Sequence, residues 1–260
     1  MSVDEFLSKV KPLDLIMIQG YTPYSEIISA TSVLSRGNGS FTHCGIVVSN
    51  EVCDIDISGL CIMESTVTTP DQTRDVLTQR FSYGAQIRDL KKVIEEILEK
   101  GGGIAVCRLK NNPYDSNKEE VKKIMTKIYN EYFRENVALY ELNIFSLFST
   151  VFPSAKGIRD NIDEFFEFTT EKHPWIFCSE IVCIIYRDLG LLDKDIDVQI
   201  YLPVDFVDVG EDNEVNSIFV LPPEYLRKID IETKILYRCF PIFLKTIKII
   251  FLSAKRYLLG

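Results

Sequence analysis

Short apolar runs broken by turn residues fill the first part of the chain, and segments of helical period become prominent later. Leu13 to Gln19 predicts a first strand ended by Gly20, and Tyr24 to Leu34 a short helix before the loop Arg36-Gly37-Asn38-Gly39-Ser40. Phe41 to Ser49, rich in β-branched residues, predicts a buried strand. Asn50-Glu51 then begins a turn, and Leu60 to Thr66 forms the next strand. Lys91 to Lys100 has a helical period that Gly101-Gly102-Gly103 stops, and Ile104 to Leu109 is a further strand.

Ser116 followed by Glu119 makes a capping-box pair, which predicts a helix from there to about Asn136. Residues 140 to 174 are aromatic, with Asp and Glu interleaved, and have no clear period. They read as an irregular excursion over the surface or a cleft. Their aromatics, Phe165, Phe166 and Phe168 among them, suit an apolar lining and suit core packing better. Phe177 to Leu189 is strongly helical, Gly190 ends it, Leu191 to Asp197 is a loop, and Ile218 to Leu221 reads as a last short strand. No internal repeat is visible. Strands with short helices precede a helical half, an order that predicts an α+β fold rather than alternating βαβ units.

Composition narrows this picture only a little. With 260 residues, 46% of them hydrophobic and 26% charged, the chain can bury a full core beneath an ordinary charged surface. A net charge of -9 argues against a general nucleic-acid binder, which needs a basic face. Seven cysteines (44, 53, 61, 107, 178, 183 and 239) follow no framework spacing, and Met1 to Phe6 has no secretory pattern. Free thiols in a reducing, cytoplasmic compartment are therefore expected.

Most of these thiols read as small core residues. Cys178 stands apart. Pro174 discourages helix before it, the helical period begins at about Cys178, and a helix N-terminus lowers a thiol's pKa. Cys183 lies five residues on, about 140° around that helix, and faces elsewhere. Cys44 follows His43 in a strand, where neighbours point to opposite faces, so it is expected to lie outside any site that His43 shares. His173, in Glu171-Lys172-His173-Pro174, reads as a solvated loop residue. His43 remains as the base for Cys178. Glu64 is the third group: a carboxylate inside an apolar strand needs a partner, and it can orient the imidazole if the two strands pair. Gaps of nine and eight residues between Cys44, Cys53 and Cys61, with no CxxC pair, argue against zinc. No metal or cofactor is implied.

The segments Asp14-Leu15-Ile16-Met17, Thr42-His43-Cys44-Gly45-Ile46-Val47, Ile62-Met63-Glu64-Ser65 and Cys178-Ser179-Glu180-Ile181-Val182, in this order, resemble the circularly permuted papain-like branch of the NlpC/P60 superfamily. So do Asp188-Leu189-Gly190-Leu191 and Leu202-Pro203-Val204-Asp205-Phe206. The resemblance covers residues 14 to 70 and 174 to 206. It implies an α+β fold with an antiparallel sheet or barrel packed on helices. It also implies Cys178 as nucleophile, His43 as general base, Glu64 as third polar group and the Cys178 N–H in an oxyanion hole.

The family includes bacterial cell-wall and amide hydrolases, poxviral members and lipid acyltransferases of the lecithin:retinol type. The lipid branch typically carries a second histidine where Glu64 stands, which tilts the expectation towards a hydrolase of an amide or ester. A phospholipid acyltransferase or phospholipase, and a non-catalytic interaction module, remain as alternatives. Tyr21, Tyr24 and Ser179 are candidate substrate contacts. A large-virus origin, with packaging in the virion, suits the resemblance.

One catalytic domain over residues 1–230, elaborated at 110–174, is expected to precede a C-terminal amphipathic helix at 231–260. In that helix Lys245, Lys248, Lys255 and Arg256 fall within about 100° of the wheel, opposite Phe243, Ile247, Ile250, Ala254 and Tyr257. Such a helix suits peripheral membrane contact as well as it suits covering the core or a dimer partner. No stretch is long and apolar enough for a conventional membrane span.

Overall fold

The computed structural model describes residues 1–20, 23–36, 38–134, 139–140, 175–207 and 214–229. Six strands form one antiparallel sheet: β1 (Leu15–Gln19), β2 (His43–Val48), β3 (Cys61–Val67), β4 (Tyr83–Asp89), β5 (Gly103–Leu109) and, last in the chain, Phe219–Arg227. The helices are α1 (Val3–Leu7), α2 (Pro23–Arg36), α3 (Leu90–Glu99), α4 (Pro113–Ser116), α5 (Lys118–Ile128), α6 (Cys178–Asp188) and α7 (Glu214–Ser217). Two short strands, β6 (Leu139–Tyr140) and β7 (Trp175–Ile176), pair in parallel, so Phe219–Arg227 is β8. The large sheet runs β4-β3-β2-β1-β5-β8, with β4 and β8 at its edges.

Both faces of the sheet are covered, so its central strands are apolar throughout rather than alternating. On β1, Leu15 and Met17 join a core with Ile181, Ile185 and Tyr186 of α6 and Val121 and Met125 of α5. Ile16 and Ile18 point the other way, against Phe6 of α1 and Val93, Ile94 and Ile97 of α3. Tyr186 Oη donates to the Leu13 carbonyl at 2.9 Å, tying α6 to the entry of β1. Gly190, at φ +72°, lets the chain turn out of α6.

Several boundaries differ from the sequence expectations for identifiable reasons. The helix assigned to Ser116 is capped one residue later: Asn117 Oδ1 accepts from the Glu120 N–H at 3.3 Å. Ser116 instead closes α4, donating to the Pro113 carbonyl at 3.1 Å. α5 runs into a π-turn over Tyr129–Phe133. β8 extends well beyond Leu221, through Pro222 and Pro223, which an edge strand tolerates. The sequence did not suggest β4, nor α1. Of the excursion expected at 140–174, Tyr140 falls in β6 and residues 141–174 lie outside the described residues, as do the C-terminal helix expected at 231–260, His173 and Cys239. No helix among the described residues is long and apolar enough to cross a membrane.

Candidate active site

Cys178 is the first residue of α6, and the residue before it, Phe177, has extended backbone and no side-chain oxygen with which to cap the helix. Glu180 Oε2 reaches back to the Phe177 N–H at 3.3 Å, fixing the entry. The sulfur thus sits where unpaired N–H groups and the helix dipole favour negative charge. Ser65 Oγ of β3 donates to the Ile176 carbonyl at 2.8 Å, seating this helix start on the sheet.

His43 opens β2 and lies beside Cys178, close enough for the two to share charge. Its Nε2 pairs with Glu64 Oε2, which leaves Nδ1 for the sulfur. The strands pair as expected: Ile46 faces Met63 and Val47 faces Ile62. Glu64 therefore lies beside Gly45, and a Cβ at Gly45 would come within 2.9 Å of the Glu64 Cβ. The missing side chain lets the carboxylate strand close up beside the histidine.

Burial opposes charge on His43, but the thiolate of Cys178 and the carboxylate of Glu64 outweigh it and hold the imidazole up at about 10. Burial likewise opposes charge on Glu64, and Arg88 with His43 reverses this, holding it down at about 2. The Cys178 thiol is drawn well below its usual range. A hydrogen bond from Cys44 leads, and the charge of His43 assists against burial. The arrangement is that of a thiolate–imidazolium pair steadied by a carboxylate.

Two members of this site were not foreseen. Cys44, expected to face away from anything His43 shares, lies close enough to Cys178 to help draw its thiol down. Alternation separates neighbours along the body of a strand, but Cys178 is set against the very start of β2, where both side chains reach it. Burial and the adjacent thiolate push the Cys44 thiol well up, so it remains a protonated donor. The second is Arg88 on β4, whose Nε donates to Glu64 Oε1 at 2.7 Å. A basic residue at an alternate position of a strand with a polar inner face was the available signal.

A small pocket adjoins Cys178, lined by Ile28, Thr42, Phe177, Ser179, Gln199, Tyr201, Leu202 and Pro203. The segment Leu202-Pro203-Val204-Asp205-Phe206 builds its wall: Asp205 Oδ2 accepts from the Leu202 N–H at 2.8 Å and closes a 3₁₀ turn over Pro203–Phe206. Ser179 lies on the pocket, with its hydroxyl donating to the Tyr201 carbonyl at 2.6 Å. Tyr21 and the side chain of Tyr24 lie outside the described residues, although Tyr24 falls within α2. Cys53, Cys61, Cys107 and Cys183 are buried free thiols, each raised above its ordinary range by burial. Among the described residues no group of three or more His, Cys, Asp and Glu side chains could hold a metal ion.

No protein-family model matches this chain, and no curated protein matches its sequence.

Proposed function

We propose that this protein is a cysteine hydrolase that cleaves an amide or ester acyl bond through a thioester on Cys178, on a circularly permuted papain-like fold. The observation that carries the reading is the position of His43, hydrogen-bonded to Glu64 and set beside Cys178, whose helix start borders a small pocket. The chain order, histidine strand before cysteine helix, and the antiparallel sheet beneath them support the permuted arrangement.

In this mechanism the Cys178 thiolate adds to the substrate carbonyl, and the Cys178 N–H at the start of α6 helps to hold the oxyanion. The imidazolium of His43 gives its proton to the leaving amine or alcohol as the tetrahedral intermediate collapses to the thioester. His43, now neutral, takes a proton from water, hydroxide adds to the thioester, and the acid leaves with the thiolate restored. Glu64 keeps the ring oriented and its charged form stable throughout.

A second reading, a phospholipid acyltransferase or phospholipase on the same residues, draws on the pocket. Ile28, Phe177, Leu202 and Pro203 are apolar, and Cys178 apart, none of the described lining residues is ionised. Such walls favour a neutral acyl group. The test exposes wild-type protein and Cys178→Ala to acyl amides, simple esters and phospholipid vesicles. Acid release from amides or esters that Cys178→Ala abolishes supports the hydrolase. Fatty acid released from or moved between phospholipids supports the second reading. Full turnover by Cys178→Ala, or a thiol probe that labels a different cysteine, overturns both. A Cys178 of ordinary thiol reactivity indicates a non-catalytic interaction module.

A further inference from the structure

The row Cys178, His43, Glu64 does not end at the carboxylate. Glu64 is fully buried, and its two oxygens have separate partners: Oε2 meets His43 Nε2, while Oε1 accepts from Arg88 Nε at 2.7 Å. Register explains the contact. On β4, Arg88 pairs with Ile62 and Gln86 pairs with Glu64, so Arg88 is the diagonal neighbour of Glu64 on the same face of the sheet. Arg88 is itself only 3% exposed.

Charge balance indicates what such a group does. A thiolate at Cys178 and a carboxylate at Glu64 are two buried negative charges, and His43 supplies one positive charge. Without a second cation, one of the two anions takes up a proton, because an uncompensated buried charge is expensive. A guanidinium keeps its charge over the whole pH range of folded proteins, and its planar fork suits a carboxylate. We infer that Arg88 is a positioning residue for the nucleophile: its fixed charge keeps Glu64 ionised and turned to His43, and so keeps Cys178 as a thiolate two side chains further on. The inference rests on Cys178 being the reactive group.

The other groups around Arg88 leave it to this role. Glu96 of α3 places Oε2 3.9 Å from Arg88 Nη1, and that oxygen already accepts from the Thr73 N–H at 2.7 Å. The other oxygen of Glu96 lies 3.7 Å from Lys100 Nζ, which pairs in turn with Asp71 at 2.8 Å. Asp75, bridged to Arg88 through the backbone, spends its carboxylate on the N–H groups of Leu77, Thr78 and Ile87. On the far side, Cys178 meets His43 and the neutral thiol of Cys44. Signs therefore alternate from Cys178 through His43, Glu64, Arg88, Glu96 and Lys100 to Asp71. Arg88 is the buried cation at the centre of that row.

The test follows iodoacetamide alkylation of Cys178 against pH, resolved from the other thiols by peptide mass spectrometry, in the full chain and without substrate. Thermal unfolding establishes which variants fold. Arg88→Gln, which keeps a donor but no charge, should move the alkylation midpoint up by about one pH unit and slow the reaction about tenfold at pH values below the wild-type midpoint. Arg88→Lys should recover most of the loss.

A folded Arg88→Gln with the wild-type midpoint overturns the proposal, and so does Arg88→Lys behaving no better than Arg88→Gln. Should Arg88→Gln not fold, Arg88→Lys and Glu64→Gln decide. A wild-type midpoint in Arg88→Lys with a raised one in Glu64→Gln supports the role. A wild-type midpoint in Glu64→Gln, or Arg88→Lys raised as far as Glu64→Gln, overturns it. An ordinary midpoint in the wild-type protein would instead remove the reading of Cys178 as the nucleophile.

Discussion

Ser65 Oγ donates to the carbonyl of Ile176 at 2.8 Å, so the strand that carries Glu64 also anchors the segment leading into Cys178. Glu64 and the helix start at Cys178 are thereby referenced to one strand, through the neighbouring residues Glu64 and Ser65 on its opposite faces. Ser65→Ala should leave that buried carbonyl unsatisfied and cost about 1–3 kcal/mol of stability, read from urea unfolding. It should also slow Cys178 alkylation, because the helix start can then drift from His43. Unchanged urea midpoints would show the tether to be idle.

The shifts at the site set a pH window for stability. Glu64 is held at about 2 against an ordinary 4.5, so its contribution is fully present above 4.5 and is lost as pH falls towards 2. His43 is held at about 10 against 6.5, so its contribution is full below 6.5 and is lost as pH rises through 10. Urea midpoints measured across both limbs should decline at each end. Glu64→Gln should flatten the acid limb, and a Glu64→Gln curve parallel to wild type would refute the assignment.

Cys44 lies beside the sulfur of Cys178 and helps to hold its thiol down, which makes it more than a core thiol. Cys44→Ala should slow alkylation of Cys178 by roughly tenfold at pH values below the wild-type midpoint, the worth of a hydrogen bond to a charged group. Cys44→Ser, which keeps a donor, should lose less. Equal rates in all three proteins would confine Cys44 to packing.

Gly45 permits the close approach of β3 to β2. An added Cβ would sit 2.7 Å from Ile62 Cγ1 and 2.9 Å from Glu64 Cβ, and neither atom is the free end of a flexible chain. Gly45→Ala should cost about 1–3 kcal/mol by overpacking and shift Glu64 from His43. Thermal unfolding reads the first effect and the pH profile of Cys178 alkylation the second. A variant as stable as wild type would mean that the sheet relaxes freely at this point.

Most elements of the sheet were legible because their apolar runs are continuous, as strands buried on both faces require. β4 was not, and its residues explain why. Gly84, Gln86 and Arg88 alternate with Ala85 and Ile87, so the run lacks an apolar face on one side. That side is buried all the same, because Gln86 bonds to backbone carbonyls and Arg88 to Glu64. A polar face that is buried with partners for Gln86 Nε2 and Arg88 Nε, though not for Gln86 Oε1 or Arg88 Nη1, looks in sequence like a surface loop. The end of β8 was hidden for another reason, since Pro222 and Pro223 read as a break although an edge strand needs only one side of its backbone paired.

The sequence by itself determined that Cys178 opens a helix, that His43 and Glu64 each lie in an apolar strand, and that the histidine comes first. Each of these depends on local signals: Pro174 before the helical period, and a single carboxylate within an apolar run. Only the tertiary structure decided that Cys44 lies beside Cys178, that Arg88 holds Glu64, and that Tyr201 to Pro203 wall the pocket. Those contacts follow from strand register and from where α6 docks on the sheet. Both are set by packing between segments far apart in the chain, which no local pattern encodes.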